Sequence, residues 1–583
     1  MHRTGAARKI PHAWQLRALA ALLHVLITAH TTAEIIDVDP APAARVLRRL
    51  QVLNNAGAAR TTLRFGASFG PRDTQGSQGY DTFAGYKFWE ESTNAATCTE
   101  TATTSVTADA DACAAVTALD DNVACAAVRT AADNSVAACT YDAGGISLGG
   151  QTYDVEFIHL DDGGNTAEGC TSTLADGTTT AFSDTTNCVL TPAVADDPAT
   201  GADETAAGSC ADVASAVATC AYHEGGQAEY NYEALIDDHD VDILLSTETD
   251  KTAIMSRVAE AKGTLNVACC TGPKGPYQQG HAWLFGMHVP SDYYSRDLLR
   301  TLSMKQTGRP VNKVAIAYRT DSGFTVDTCA AAARYAEEFG LEVVLNQAFT
   351  PATGGAGGAA MEQEDYTQLM RDVKAAGPDV FIGCTFTDDS IAMTRAAHDV
   401  KLVPKQLAAM FLTVGPTKEA FVSELGTARA EGVLTPAQWH HTMEYEDPYY
   451  TSSAELNSDW KEFSLSNGHD LDYVTASAIA TGVTLRLALE AAAGSTSTSV
   501  RDALASDSCM SVTNTFFGTV RMSPAGHEQG DRRNIGHLPA LLQIQNGVTH
   551  AVLPSEAAQR ELQYYAEPEI DLQGCMCAHF VEA

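Results

Sequence analysis

The chain has 583 residues, 45% of them hydrophobic, and carries 37 Lys and Arg against 73 Asp and Glu, for a formal net charge of −36. So few bases exclude a nucleic-acid binder, which needs a basic footprint to neutralise phosphates, and an amphipathic membrane-surface protein, which needs Lys and Arg on its polar face. The hydrophobic content is enough for a large core and excludes wholesale disorder.

Residues 1–33 read as a secretory signal peptide. His2, Arg3, Arg8, Lys9 and Arg17 make a basic start. The run LRALAALLHVLITA that follows is about as long as a signal h-region and too short for a ~20-residue membrane span. Cleavage is expected after Ala29 or Ala33, which places the mature protein in an extracellular or periplasm-like compartment. Residues 34–62 read as a linker.

From there strands alternate with helices. LRFGAS (63–68) is a short apolar strand ending in a Gly/Pro turn, and a helix over 79–92 carries Phe83, Tyr86 and Trp89 on one face. YDVEFIHL (153–160) is a second strand, and YEALIDDH followed by VDILLS (241–246) is a helix and a strand. NKVAIAYR, a helix near 325–339, LEVVLNQAF, a helix near 365–376 and PDVFIGCT continue the pattern. Alternation of this length predicts an α/β fold with parallel sheets covered by helices on both faces.

Two stretches break the alternation. Residues 94–145 and 166–229 are rich in Ala, Thr, Asp and Gly, and they end alike in VAACTYDAGG and VATCAYHEGG. Eight of the fifteen cysteines fall here: Cys98, Cys113, Cys125 and Cys139, then Cys170, Cys188, Cys210 and Cys220. Such composition buries little apolar area, so disulfides are expected to hold each insert together. Four cysteines allow three pairings in each insert, and the sequence does not choose among them. No CxxC occurs; Cys269 and Cys270 are adjacent, and Cys575 and Cys577 form CMC, so zinc spacing is missing. The inserts read as loop decoration, acidic and solvated.

Other motifs are set aside. GGAGGAA (354–360) contains GxGxxA, but polar MEQEDY separates it from the next helix, so it does not build a phosphate-holding turn. His440 and His441 with Glu444 and Glu446 are read as solvated, because neighbours on a strand point to opposite faces. There is no GxxxxGK[ST] and no nucleophile with a recognisable base. An enzyme is therefore not expected, nor a cofactor or metal.

From residue 63 to 556 the order of motifs resembles the type I periplasmic-binding-protein fold, above all its leucine-binding-protein branch and the related ligand-binding regions of receptors. FGASFGP, GGISLGGQTYDVEFIHLDD, LIDDHDVDILLSTETDKTA, TQLMRDVKAAGPDVFIGCTFTDDSIAMTRAAHDV, VGPTKEAFVSELGTARAEGVLTPAQWH and FFGTVRMSPAGHEQGDRR with LPALLQIQNG occur in the family's order. The resemblance implies two Rossmann-like lobes joined by a hinge that the chain crosses three times. Lobe 1 is expected at 63–289 and 433–530, with both inserts. Lobe 2 is expected at 290–432 with a closing strand at 531–556, and 557–583 form a tail. Ligands of such proteins bind in the cleft at the carboxyl ends of strands.

The turn after VDILLS is the favoured site, because a helix beginning near Thr252 aims free N–H groups at the cleft. Ser246, Thr247 and Thr249 add hydroxyls there. The resemblance carries an amino acid's α-carboxylate onto Ser246 and Thr247, and a further contact onto Cys270 and Thr271. In lobe 2 it points to Tyr318 and Phe324, and to Thr385 and Phe386, with an aromatic covering the ligand. The family pairs the ligand's ammonium with an acid in lobe 2, and LAAMFLTV has none at the matching place. Asp388 and Asp389 are nearby alternatives that can equally cap a helix, and Asp161 and Asp162 end a lobe 1 strand. An amino acid, an amide or urea-like molecule and a cationic ligand all stay open. The expected function is that of a secreted protein binding a small polar ligand, with a membrane transporter or receptor as partner. The alternative is the extracellular ligand-binding region of a receptor whose membrane part is not in this chain; an adhesive protein or an α/β hydrolase is less favoured.

Overall fold

The computed structural model describes residues 62–70, 78–95, 97–102, 136–142, 144–162, 169–174, 188–191, 209–212, 217–223, 225–247, 249–304, 311–349, 361–403, 406–443, 445–447, 449–492, 494–506, 513–554 and 558–565. The expected signal peptide, nearly all of the linker, the GGAGGAA stretch and most of the tail lie outside the described residues. The chain divides into two units, Met1–Arg60 with Cys170–Tyr222, and Thr61–Gly169 with His223–Ala583. Both lobes belong to the second unit.

The chain first runs through β1 (Thr62–Phe69), α1 (Gln78–Asn94), β2 (Thr97–Ala102), β3 (Val136–Asp142), β4 (Ile146–Leu148) and β5 (Gln151–Asp161). It continues through β6 (Gly169–Leu174), β7 (Cys188–Thr191), β8 (Ser209–Asp212), β9 (Val217–His223) and α2 (Gly226–Asp237). Then come β10 (Ile243–Ser246), α3 (Thr249–Lys262), β11 (Leu265–Ala268) and β12 (Leu284–Gly286). The second lobe follows with α4 (Arg296–Ser303), β13 (Lys313–Arg319), α5 (Gly323–Glu338), β14 (Glu342–Phe349), α6 (Gln363–Ala376), β15 (Val380–Cys384) and α7 (Thr387–Asp399). It goes on through β16 (Ala409–Leu412), α8 (Glu419–Leu425), α9 (Thr427–Ala430) and β17 (Leu434–Ala437). The return carries β18 (Glu446–Asp447), β19 (Thr451–Ser452), α10 (Ser453–Glu462), α11 (Tyr473–Ala492), α12 (Ser497–Leu504), β20 (Thr513–Thr515) and β21 (Gly518–Val520). The hairpin β22 (Ala540–Gln545) and β23 (Val548–Leu553) closes the second lobe.

Lobe 1 is a six-stranded sheet of order β12-β11-β10-β1-β5-β4, parallel except for β4. Lobe 2 is a seven-stranded sheet of order β14-β13-β15-β16-β17-β22-β23, parallel as far as β17 and antiparallel beyond it. Every residue of β10, β11, β15 and β16 is buried. These short apolar runs fit strands covered on both faces, whose sequences do not alternate. In lobe 1, α1 packs on α11 at glycines. A Cβ at Gly482 would meet the Trp89 ring at 2.1 Å, and one at Gly85 would meet the Thr475 carbonyl at 2.5 Å. Trp89 is edge-on to Phe65 with centroids 4.9 Å apart. Helix α11 is long and apolar enough to cross a membrane, but most of it is buried in this core.

The alternation predicted from sequence is observed within a few residues at each element. Three boundaries differ. β17 pairs through Leu434 with Phe411 and then with β22, so the second crossover follows Ala437 rather than residue 432. Gly286 bridges Arg533, and Met522 bridges Asn534, so the chain stays with lobe 1 beyond residue 530. The closing element is accordingly a hairpin, not one strand. Four buried residues such as LTPA carry nothing that says which sheet they join; pairing decides it. The second insert ends by His223, since α2 begins at Gly226 and buries Gly226, Ala228, Asn231 and Tyr232. The expected inserts show as small ladders: β2 antiparallel to β3, β6 beside β9, and β7 antiparallel to β8. Cys210 is disulfide-bonded; Cys113 and Cys125 lie outside the described residues.

Arg533 fastens the hinge. Fully buried, it donates to the carbonyls of Gly272 (2.6 Å), His288 (3.3 Å) and Gln529 (3.2 Å), and stacks 4.7 Å over Tyr277. One side chain thereby ties the first crossover to the third.

Candidate functional site

At the carboxyl end of the lobe 1 sheet, β10 runs into α3. Ser246 Oγ lies 2.6 Å from Thr252 Oγ1, which lies 2.6 Å from Thr271 Oγ1. Thr247 Oγ1 is 2.7 Å from Thr82 Oγ1, and Gln78 donates to the Thr247 carbonyl at 3.2 Å. Ser246, Thr247, Thr252 and Thr271 are all fully buried. The predicted hydroxyls at Ser246 and Thr271 are thus brought together but spent on each other through Thr252. Their effect is to lock the turn between β10 and α3. The side chain of Thr249 lies outside the described residues.

Cys269 and Cys270 are joined to each other. The Cys269 N–H donates to the Ser246 carbonyl at 3.1 Å, and the half-buried Cys270 places its sulfur 3.8 Å from the Val474 carbonyl. This disulfide closes a ring of contacts with the Ser246–Thr252–Thr271 chain.

Lobe 2 repeats the hydroxyl device. Thr385 donates its N–H to Thr413 Oγ1 (2.7 Å), Thr413 donates back to the Thr385 carbonyl (2.7 Å), and Thr385 Oγ1 lies 2.7 Å from Ser390 Oγ. Behind it Arg319 forks onto Asp321 (2.9 and 2.5 Å) and reaches Asp389 at 2.9 Å, and the Tyr366 hydroxyl donates to Asp389. Burial alone would lower the Arg319 guanidinium; Asp321 and Asp389 outweigh it and raise it. Asp389 also accepts the Phe386 N–H and so caps α7. It is consumed by its own lobe and is not free for a ligand's ammonium, while Asp388 is exposed. Phe324 and Phe386 do come together, centroids 6.2 Å apart, with Tyr294 6.1 Å from Phe324 and Arg319 5.2 Å over Phe386. Tyr318 is half-buried and packs into the lobe 2 core.

The group that joins the two lobes was not foreseen. After β16 the chain turns at Val414, whose φ of 59° is rare for a β-branched residue. It continues through Gly415, where a Cβ would sit 2.3 Å from that of Ser390. Just before α8, Lys418 reaches across to lobe 1, 2.6 Å from Asp81 and 3.3 Å from Asp472. Asp81 adjoins Thr82, the partner of Thr247. Asp472 caps α11, accepting the Val474 N–H at 2.9 Å and the Thr475 hydroxyl at 2.6 Å. Burial would lower the Lys418 ammonium, but the two carboxylates outweigh it and raise it. Burial would likewise raise Asp472; Lys418 and the capping donors outweigh it and hold that carboxyl below its ordinary range. An exposed pair, Glu419 with His469 at 2.7 Å, lies beside this bridge. The sequence carries a partial signal: Asp472 before a Thr-containing helix start reads as a cap. Nothing local marks Lys418.

Asp162 is buried on Lys251 at 2.5 Å and accepts from Ser68 at 3.1 Å, whereas Asp161 is exposed. His440 and His441 are not the solvated pair expected. They lie in a turn rather than a strand, their rings are 4.3 Å apart, and burial, with His441 and His550 near, pushes His440 down to about 3. Among the described residues no group of three His, Cys, Asp or Glu side chains could hold a metal.

A family profile described as periplasmic binding protein matches residues 224–535. No curated protein matches the chain. Among solved structures, a leucine-binding protein, LivK, from Thermotoga maritima is 11% identical with a TM-score of 0.51, covering 84% of this chain and 97% of its own. LivJ from Streptococcus pneumoniae, a branched-chain amino acid transporter substrate-binding protein solved with isoleucine, is 12% identical with a TM-score of 0.51, covering 84% and 99%. A solute-binding protein of an ABC transporter from R. palustris, solved with 4-hydroxybenzoate, is 13% identical with a TM-score of 0.52, covering 88% and 99%. At such identities the likeness is one of fold. With the matched segment spanning more than half of its length, this chain belongs to the periplasmic binding protein family and has the type I fold.

Proposed function

We propose that the chain is a secreted, non-enzymatic binding protein that closes its two lobes on a small polar ligand and delivers it to a membrane transporter or receptor. The observation that carries this reading is Lys418. It leaves the carboxyl end of a lobe 2 strand and lands on Asp81, one residue from the partner of Thr247. That contact between the lobes supports a cleft lined by the strand ends of both. A ligand carboxylate is held by the first N–H groups of α3 beside Thr247, and Phe324 and Phe386 cover it from lobe 2.

Thermal unfolding of the mature protein with amino acids, amides and simple carboxylates tests this. A ligand at 100 times its Kd stabilises by about 2.7 kcal/mol, and Thr247→Ala reduces the shift. A panel in which no compound raises the Tm, or in which the variant responds as the wild type does, overturns the reading. Secretion is tested by N-terminal sequencing of the exported protein, which should begin at residue 30 or 34.

A further inference from the structure

We propose that Lys418 restricts the ligand to organic acids that carry no ammonium group; this rests on the cleft reading above. A bound α-amino acid must place its ammonium against a carboxylate, because an unpaired charge taken out of water is strongly disfavoured. The buried and half-buried acids named at the strand ends are already committed. Asp162 holds Lys251, and Asp321 and Asp389 hold Arg319. Asp81 and Asp472 are the acids beside the Thr247 turn, and Lys418 takes both. Asp472 is further satisfied by the N–H groups and hydroxyl at the start of α11, whose dipole favours a negative charge there.

Lys418 therefore stands where an amino acid's ammonium would have to go. Its side chain is 16% exposed and arrives from the opposite lobe, so it is in place when the lobes are together. A carboxylate without an amino group meets the N–H groups of α3 and leaves this bridge intact. An amino acid must displace Lys418 or lie beside a like charge. Phe324 and Phe386 suit an apolar or aromatic body on such an acid.

Matched pairs differing only in the amino group decide it. Calorimetric titration of the full mature protein compares 4-methylpentanoate with leucine and 3-phenylpropanoate with phenylalanine. The wild type should bind the amine-free member of a pair more tightly by about tenfold or more. Lys418→Met, which frees Asp81 and Asp472, should reverse that preference, and Lys418→Arg should retain it. A merely structural lysine would weaken both members alike. Should the Met variant fail to fold by circular dichroism, the wild-type pairs with the Arg variant still decide. Leucine or phenylalanine binding the wild type as tightly as its amine-free partner overturns this inference and leaves the small-ligand reading standing. A folded Met variant with unchanged preference also overturns it. No binding by any member of either pair counts against both.

Discussion

The strand ends of the two lobes are built to one plan and finished differently. In lobe 1 Ser246, Thr252 and Thr271 join the end of β10, the first turn of α3 and the end of β11. In lobe 2 Thr385, Ser390 and Thr413 join the end of β15, the first turn of α7 and the end of β16. Each device has a buried ion pair behind it, Lys251 with Asp162 and Arg319 with Asp389. The rims differ. Lobe 1 turns the carboxylates Asp81 and Asp472 outward, whereas lobe 2 keeps its acids on Arg319 and presents Lys418 and aromatic rings. A repeated hydroxyl scaffold sets the geometry of both strand ends, and the charges placed around it distinguish them.

The largest effect expected from breaking this comparison is at the buried ion pairs. Asp162→Ala should cost about 3–5 kcal/mol in urea unfolding, because it strips Lys251 of its carboxylate. Asp389→Asn, which keeps an acceptor for the Tyr366 hydroxyl and the Phe386 N–H, should cost less, since Asp321 stays on Arg319; an equal loss would mean that the second acid does not compensate.

The disulfides come next. Cys329–Cys384 ties α5 to β15 across 55 residues, and removing it with two alanines should cost about 4 kcal/mol by the loop-entropy argument. Cys269–Cys270 joins neighbours and closes no chain loop. Its removal should cost well under that value, yet should weaken ligand binding by loosening Thr271. A large stability loss from the adjacent pair would break the contrast.

Single hydroxyls are smaller. Thr252→Val and Ser390→Ala should each cost about 1–2 kcal/mol, since buried partners are left unmatched. If only one lobe responds, the two devices are not equivalent.

The gentlest test is pH. Lys418 is raised, so its contribution is complete below the ordinary lysine value and is lost only as pH climbs through the raised one. Asp472 is lowered, so its contribution is complete above the ordinary aspartate value and fades as pH falls through the lowered one. The inter-lobe bridge should therefore hold from about pH 4 to about pH 10. Solution scattering should show a constant radius of gyration across that window. The exposed Glu419–His469 pair should contribute at most about 1 kcal/mol.

Local chemistry was legible at several points. VDILLS ending in a hydroxyl pair before a helix marks the turn at Ser246 and Thr247 without any partner in view. FTDDS marks the capped start of α7, although that cap is also what removes Asp389 from the site. The six ordered motifs point to the fold because each is a strand or turn whose period and glycines are written in adjacent residues.

Periodicity, turn residues and caps, interactions among residues a few positions apart, were therefore enough for the α/β class, the elements and the family resemblance. Only the tertiary structure decided that LTPA joins the second sheet, that Asp389 belongs to Arg319, and that Lys418 meets Asp81 across 337 residues of chain. A lysine in a surface-like stretch reads as solvated until two distant carboxylates are brought to it. Charge pairing depends on distance in space, which the whole fold sets and no local pattern contains.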